Sequence, residues 1–413
     1  MVSKSSYVLE SGDYSFLIGQ DVRCTTLIQF LDARDDKQQW RTENGNRLHF
    51  NEDLILQRLA SRCPPRQLKR RLTAEGGYRT VEHQEAHCAL LDDKVYPSDG
   101  TFPRESPWAI PYSAWKTPEG MQFIEVSEGK LSLEDFIHAL TDEEKIHLLC
   151  GQPNRGVADT FGMGNLPHKG VPNVMTADGP AGLHIKKRAG VMTTAFPCAS
   201  LLACTWDVDL LHEVGRSCAE EVVENGIGIW LAPAINIQRS PLCGRNFEYY
   251  SEDPLLAGKL ASSLIKGVQE LGVAASLKHF ACNNKETNRK ESDSRVSERA
   301  LREIYIKAFE ICVKEADPWT IMSSYNLING ERASCNKDLL THILRDEWGF
   351  KGLVTTDWYT HAEQWREINA GNDVKMGSGT PEYTAMKLAS GELERKALDE
   401  SVQRVLQLIL HLA

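Results

Sequence analysis

Four short apolar runs punctuate the C-terminal two thirds of the chain, and each closes on polar residues. Val171-Pro-Asn-Val-Met-Thr-Ala ends at Asp178, and Val273-Ala-Ala-Ser-Leu runs into Lys278, His279 and Phe280. Trp319-Thr-Ile-Met-Ser-Ser runs into Tyr325 and Asn326, and Phe350-Lys-Gly-Leu-Val-Thr-Thr ends at Asp357 and Trp358. Runs of this length and apolarity read as strands buried on both faces. Between them the apolar spacing is helical: Leu256, Leu260, Leu264 and Val268; then Leu301, Ile304, Ala308 and Ile311 after a capping Ser297; then Leu339, Leu340, Ile343 and Leu344, stopped at Gly349. A closing helix carries Leu398, Val402, Val405 and Ile409, and Thr141-Asp-Glu-Glu144 has the spacing of a capping box. Strand, helix, strand in this rhythm predicts an α/β fold with a parallel sheet and right-handed crossovers. A closed (β/α)8 TIM-type barrel is favoured over an open doubly wound sheet, because no glycine-rich phosphate turn follows an early strand.

The N-terminal part has another character. Tyr7 to Leu9, the turn Glu10-Ser-Gly-Asp13, Tyr14 to Ile18, and Thr25 to Leu31 read as short strands. From about Asp32 to Gly100 the sequence is charged and poorly periodic, with a basic patch at Arg66 to Arg71, and Pro97, Pro103, Pro107, Pro111 and Pro118 mark an extended connection. The chain is thus expected to divide into a partial β unit over 1–35, an irregular linker over 36–130 and the barrel over 131–413. A net charge of -10 argues against nucleic acid or an anionic membrane as partner. Eleven cysteines without a Cys-x-x-Cys pair fit a reduced, cytoplasmic setting. No run is long and apolar enough to span a bilayer.

If the sheet closes, Asp178, Arg245, Lys278, His279, Tyr325 and Asp357 meet at the C-terminal rim, where such barrels place their chemistry, with Trp358 beside them. Directional polar groups around a flat apolar face suit a sugar, and a carboxylate there suits attack at an anomeric carbon. No His-x-His spacing at a strand end suggests a metal. Each residue also has an ordinary structural role open to it. Asp357 caps a helix; Arg245 pairs with Glu248 or Glu252; His279 and Tyr325 are satisfied core groups; Trp358 is a buried wall. Glu286 and Arg289 brace the Lys278 loop.

The motifs carry a resemblance. Ala177-Asp-Gly-Pro-Ala-Gly-Leu183, Pro241 to Pro254, Lys278-His-Phe-Ala-Cys-Asn-Asn-Lys-Glu-Thr-Asn-Arg289, Ser297-Glu-Arg-Ala-Leu-Arg-Glu-Ile304, Met322-Ser-Ser-Tyr-Asn326 and Thr356-Asp-Trp358 resemble the β-glucosidase branch of glycoside hydrolase family 3, in family order over 140–413. The resemblance implies Asp357 as catalytic nucleophile. It implies Asp178, Arg245, Lys278, His279 and Tyr325 as groups that hold a terminal glucosyl unit, with Trp358 lining the pocket. It implies no cofactor and a β-glucoside or oligosaccharide substrate. In that branch the acid/base comes from a separate α/β sandwich domain. Residues 7–31 resemble the closing strands of the fibronectin type III-like domain of members with reversed domain order. The expectation is therefore a barrel whose acid/base domain is absent or supplied by a separate chain, with impaired hydrolysis. A catalytically silent carbohydrate-binding barrel is the rival.

Overall fold

The computed structural model describes residues 120–412 and, in the segment before them, six strands as backbone. The chain divides into two compact units, Met1–Asp93 and Lys94–Ala413. In the first, β1 (Phe16–Gly19), β2 (Thr25–Phe30), β3 (Trp40–Thr42) and β4 (Arg47–Leu48) form an antiparallel sheet in that order, and β5 (Leu68–Leu72) pairs antiparallel with β6 (Tyr78–Glu82). The strand expected at Tyr7 to Leu9 lies outside the described residues. Strands β3 to β6 fall where the sequence suggested irregular chain. They are two to five residues long and carry charged residues such as Lys69, Arg70 and Arg71, so the alternation is too short and too polar to register.

The second unit is built on a curled six-stranded sheet. Its order is β7 (Gly162–Leu166), β8 (Val171–Ala177), β9 (Ile229–Trp230), β10 (Ala274–Phe280), β12 (Thr320–Ser323) and β15 (Leu353–Thr356). From β8 to β15 all pairings are parallel, whereas β7 and β8 form an antiparallel pair. That pair departs from strict eightfold strand–helix alternation. It was not foreseen, because the glycine-interrupted stretch Gly162-Met-Gly-Asn-Leu166 carries no clear alternation. Isolated bridges, Thr355 to Val374, Lys375 to Cys150 and Gln152 to Gly162, carry pairing onward from β15 towards β7.

Burial on both faces explains the apolar runs. Trp230, Ala275, Ile321 and Val354 join the core beneath the helices Val208–Glu224, Pro254–Gln269 and Lys307–Ala316. Their neighbours Ile229, Ala274, Met322 and Leu353 point the other way, into a second core with Val374 and Met376. The helices begin where the sequence places caps. Thr141 Oγ1 accepts from Glu144 N at 3.2 Å while Glu144 Oε2 accepts from Thr141 N at 2.8 Å, and Asp253 caps Pro254–Gln269. Two of the helices touch at glycines: a Cβ on Gly215 would lie 2.2 Å from Leu264 O, and one on Gly267 2.1 Å from His212 O.

The helix opened by Ser297 corrects one expectation. After Glu298–Ala300 the chain makes a π-turn over Leu301–Tyr305 before Lys307–Ala316. The extra residue rotates the later face, so Ile304 is exposed while Ile306, Phe309 and Val313 take core places beside Ala308 and Ile311. A three-stranded rim sheet, β11 (Asp293–Ser294), β13 (Leu327–Ile328) and β14 (Glu331–Arg332), ties together the loops after β10 and β12. Among the described residues no helix is long and apolar enough to cross a membrane.

Candidate active site

Parallel pairing brings the C-terminal ends of β8, β9, β10, β12 and β15 to one edge, and the expected polar residues leave from there. Asp178 directly follows β8, Tyr325 lies two residues past β12, and Asp357 directly follows β15. β10 supplies two consecutive residues, Lys278 and His279. Consecutive side chains of a regular strand face opposite ways. Here the register against β12 shifts between Lys278 and Phe280, and the resulting bulge lets both serve one site.

The first charge pair is Lys278 with Asp178, Nζ to Oδ1 at 2.6 Å. The lysine side chain is 3% exposed and the aspartate 42% exposed, so the ammonium is sunk in the wall while the carboxylate looks outward. Burial alone would raise the Asp178 pKa, but the ammonium charge and its hydrogen bond prevail and hold it below the usual carboxylate range. Asp159 lies behind Asp178 and accepts from its backbone N–H at 3.3 Å. Burial and then the charge of Asp178 push the Asp159 pKa up.

Arg245 does two things at once. Its Nε is bonded to the buried Glu248 carboxylate, and its Nη2 donates to His279 Nε2 at 2.9 Å. On the other side of the ring, His279 Nδ1 lies 3.3 Å from Asn236 Oδ1, which also accepts from the His279 backbone N–H at 2.9 Å. An acceptor at Nε2 and a donor at Nδ1 together define one neutral tautomer. Burial first, then the positive charges of Arg245, Lys278 and Arg289, depress the His279 pKa well below the ordinary value, in agreement with that tautomer. The 3.9 Å separation of His279 Nε2 from Asp357 Oδ2 is therefore a neutral contact rather than an ion pair.

Asp357 is buried, and its Oδ1 accepts from the Trp358 backbone N–H at 2.7 Å. Desolvation raises its pKa. The Trp358 N–H, Arg245, the Tyr325 hydroxyl and Lys278 oppose this without cancelling it, so the net direction is upward. Tyr325 donates its hydroxyl to Trp358 O at 2.8 Å. Its own pKa is raised by burial and by the Asp357 charge. Arg289, held by Glu286 at 3.1 Å, lies 4.7 Å over the Tyr325 ring. Glu286 and Arg289, expected to brace the Lys278 loop, reach the site through the Tyr325 ring. The Trp358 indole is half-buried against the second core while its backbone serves both Asp357 and Tyr325.

All seven residues singled out in the sequence join one network of charges and hydrogen bonds around Asp357. Asn236 was missed. It sits past a two-residue strand, β9, too short for any apolar pattern to announce. Arg245's double engagement is likewise invisible in sequence. Among the described residues, no group of three His, Cys, Asp or Glu side chains is arranged to hold a metal ion.

Comparison with known proteins follows the same lines. The model for the glycosyl hydrolase family 3 N terminal domain matches residues 164–408. Beta-glucosidase A of Butyrivibrio fibrisolvens is 46% identical over 418 residues, covering 97% of this chain and 48% of that protein. An exo-alpha-(1->6)-L-arabinopyranosidase of Bifidobacterium longum is 44% identical over 280 residues, covering 65% of this chain and 36% of that one. Among solved structures, beta-glucosidase 3B from Thermotoga neapolitana in complex with alpha-D-glucose superposes with a TM-score of 0.65 at 44% identity, over 68% of this chain and 43% of that chain. A beta-glucosidase from Paenibacillus barengoltzii gives 0.72 at 33% identity, over 99% of this chain and 45% of that chain. The chain spans about half the length, or less, of these relatives.

Proposed function

The chain belongs to glycosyl hydrolase family 3, and on that footing we propose that its mouth is the nucleophile half of a retaining β-glucosidase site acting on terminal β-D-glucosyl residues. The observation that carries this reading is the setting of Asp357: a buried carboxylate at the end of a parallel strand, fixed by the Trp358 N–H, with Arg245, Lys278 and Tyr325 close enough to favour its charge. Asp357 Oδ2 attacks C1 of the sugar and the bond from C1 to the aglycone oxygen breaks, leaving a glycosyl ester. The departing oxygen keeps the electron pair and takes a proton from a general acid. Water then gives a proton to the same group, now a base, and attacks C1 as the ester bond breaks to return the carboxylate. Asp178, Lys278, His279 and Arg245 hold the sugar hydroxyls, and Trp358 lines the pocket.

A retaining reaction needs a second carboxyl ~5–5.5 Å from the first. The close polar neighbours of Asp357 are the Trp358 N–H and His279, and in the resembled branch the acid comes from a separate domain. We place the general acid outside the described residues, on another part of the polypeptide or on a separate chain. General acid catalysis supplies ~10²–10⁴-fold, so the barrel alone should favour aryl glucosides whose leaving groups need little protonation. The same observation supports the rival, a silent glucose-binding barrel. Further proposals are that the bridges at Val374, Lys375, Cys150 and Gln152 close the sheet into a (β/α)8-type barrel, and that the N-terminal sheet is the fibronectin-like remnant.

A 2-deoxy-2-fluoro β-glucoside with a dinitrophenyl leaving group separates the readings. The expected result is a stoichiometric mass increase on the peptide containing Asp357, abolished by Asp357→Asn. Saturable glucose binding without labelling would leave the silent barrel. Labelling elsewhere would end the assignment. An aryl α-L-arabinopyranoside, run in parallel, tests the preference suggested by the arabinopyranosidase relative.

A further inference from the structure

Outside the proposed catalytic mouth lies a second cleft, of about 380 Å³, lined by Arg239, Lys285, Ser292, Asp293, Arg295 and Tyr305 among others. We propose that it is a binding site for a sugar-sized organic oxyanion, of which a phosphorylated monosaccharide is the model. Three cations face one carboxylate, in a chain whose overall charge is -10, so the sign of the cleft runs against that of the molecule. The one carboxylate is already engaged. Asp293 Oδ2 pairs with Arg295 Nε at 2.6 Å, and its Oδ1 accepts from Gly330 N at 3.0 Å. The side chains of Arg239 and Lys285 make no ion pair or hydrogen bond among the described residues, and neither do the hydroxyls of Ser292 and Tyr305. The cleft therefore presents two uncommitted cations, the Nη groups of Arg295 and two hydroxyl donors, and no free acceptor charge.

The wall is also held in place before any ligand arrives. Asp293 and Ser294 form β11, paired with β13. Ser294 Oγ donates to Cys282 O at 3.1 Å, and Val296 N donates to Asn329 Oδ1 at 3.0 Å. The facing wall is tied by Asn284 Nδ2 to Ile237 O. The backbone of the wall is thus preset, the exposed Arg239 and Lys285 side chains become ordered on binding, and charge-assisted contacts are the stronger ones. The volume exceeds what an inorganic anion fills and falls in the range of small-molecule sites. Hence the ligand is an organic phosphate, sulfate or carboxylate rather than a bare ion. The anion has two sources: a free effector, or the anionic group of a glycoside that also reaches the barrel mouth.

The test is calorimetric titration of the full 413-residue chain at constant ionic strength with glucose 6-phosphate, with glucose and inorganic phosphate as reference probes. It does not depend on hydrolytic activity. Saturable binding of glucose 6-phosphate is expected, weakened about tenfold or more by either Arg239→Ala or Lys285→Ala. The charge-conserving pair Arg239→Lys and Lys285→Arg should retain most of it, and the exposed Lys396→Ala should leave it unchanged. Competition by saturating glucose assigns the anion to a ligand spanning both sites. Binding indifferent to glucose assigns it to a free effector. Absence of saturable heat, or an equal loss in Lys396→Ala, overturns the proposal.

Discussion

Behind the segment that follows Asp357 sits a buried ion pair, and cutting it gives the sharpest test of how Asp357 is held. Lys375 Nζ donates to Glu367 Oε2 at 2.8 Å, Thr360 Oγ1 at 2.8 Å and Ala362 O at 2.9 Å. Glu367 Oε1 takes the hydroxyls of Thr360 at 2.7 Å and Ser334 at 2.9 Å. Lys375 is 8% exposed and Glu367 1%. Lys375→Met leaves a buried carboxylate with two hydroxyl donors and no counter-charge, which costs roughly 3–5 kcal/mol. For a unit of this size that is a fall in Tm of about 6–12 °C, at ~2 °C per kcal/mol or a little more. It also releases residues 360–362 from their anchor, three to five positions past Asp357. Misplacement of a reacting group by about 1 Å costs on the order of 10²-fold in rate. The double variant Lys375→Met with Glu367→Gln removes both charges, and it should recover more than half of the lost stability. The assays are thermal unfolding and kcat for release of nitrophenol from an activated aryl β-glucoside. If the double variant is as unstable as the losses of Lys375→Met and Glu367→Gln added, Lys375 and Glu367 are not coupled.

Asp357→Asn should lose all covalent labelling yet unfold at a higher temperature than the parent at pH 7. Its folded-state pKa is raised, so the neutral form is the one the fold prefers. The destabilising charge is present above the folded pKa and gone below the unfolded value near ~3.9. The gain should therefore shrink as the pH falls through that window, and a gain that grows on acidification contradicts the assignment. Gly215→Ala should cost roughly 1–3 kcal/mol by overpacking, since its Cβ would meet Leu264 O at 2.2 Å. A urea midpoint matching that of the parent would show that the helices can separate freely.

Much of this site is legible in the sequence because it stands at strand ends. Each apolar run stops where side chains leave the core, so the residue after the run is a rim residue whatever its chemistry. Asp178, Tyr325 and Asp357 are found that way. Lys278 and His279 need more, since an ordinary strand would send one of them away from the mouth; their partnership depends on a bulge that no residue type signals. The π-turn after Ser297 is hidden for a related reason. A single inserted residue changes the helical phase without changing the composition, so Ile304 reads as core and is exposed. Asn236 is missed because β9 pairs through only two residues, and its neighbours are held by the adjoining strands rather than by their own pattern.

The arrangement of charge around Asp357 bears on how such a carboxylate could attack at all. A carboxylate locked in a direct ion pair is a weak nucleophile, whereas one buried without help would be protonated and inert. Here neither extreme holds, because each cation near Asp357 already has its own acid: Lys278 has Asp178 and Arg245 has Glu248. Their fields favour the ionised Asp357 from a distance while each gives a hydrogen bond to its own acid. His279, kept neutral between Arg245 and Asn236, fills the space beside Oδ2 without adding a third charge. On the proposed mechanism, Oδ1 stays on the Trp358 N–H and Oδ2 is the oxygen left for the sugar. Removing Glu248 or Asp178 should thus act on Asp357 through the freed cation, depressing its pKa and with it the nucleophilicity of the anion. The acid limb of kcat for an activated glucoside would move to lower pH in Glu248→Gln while the plateau rate falls. A limb that stays in place with the same loss of rate would mean that Glu248 only shapes the loop.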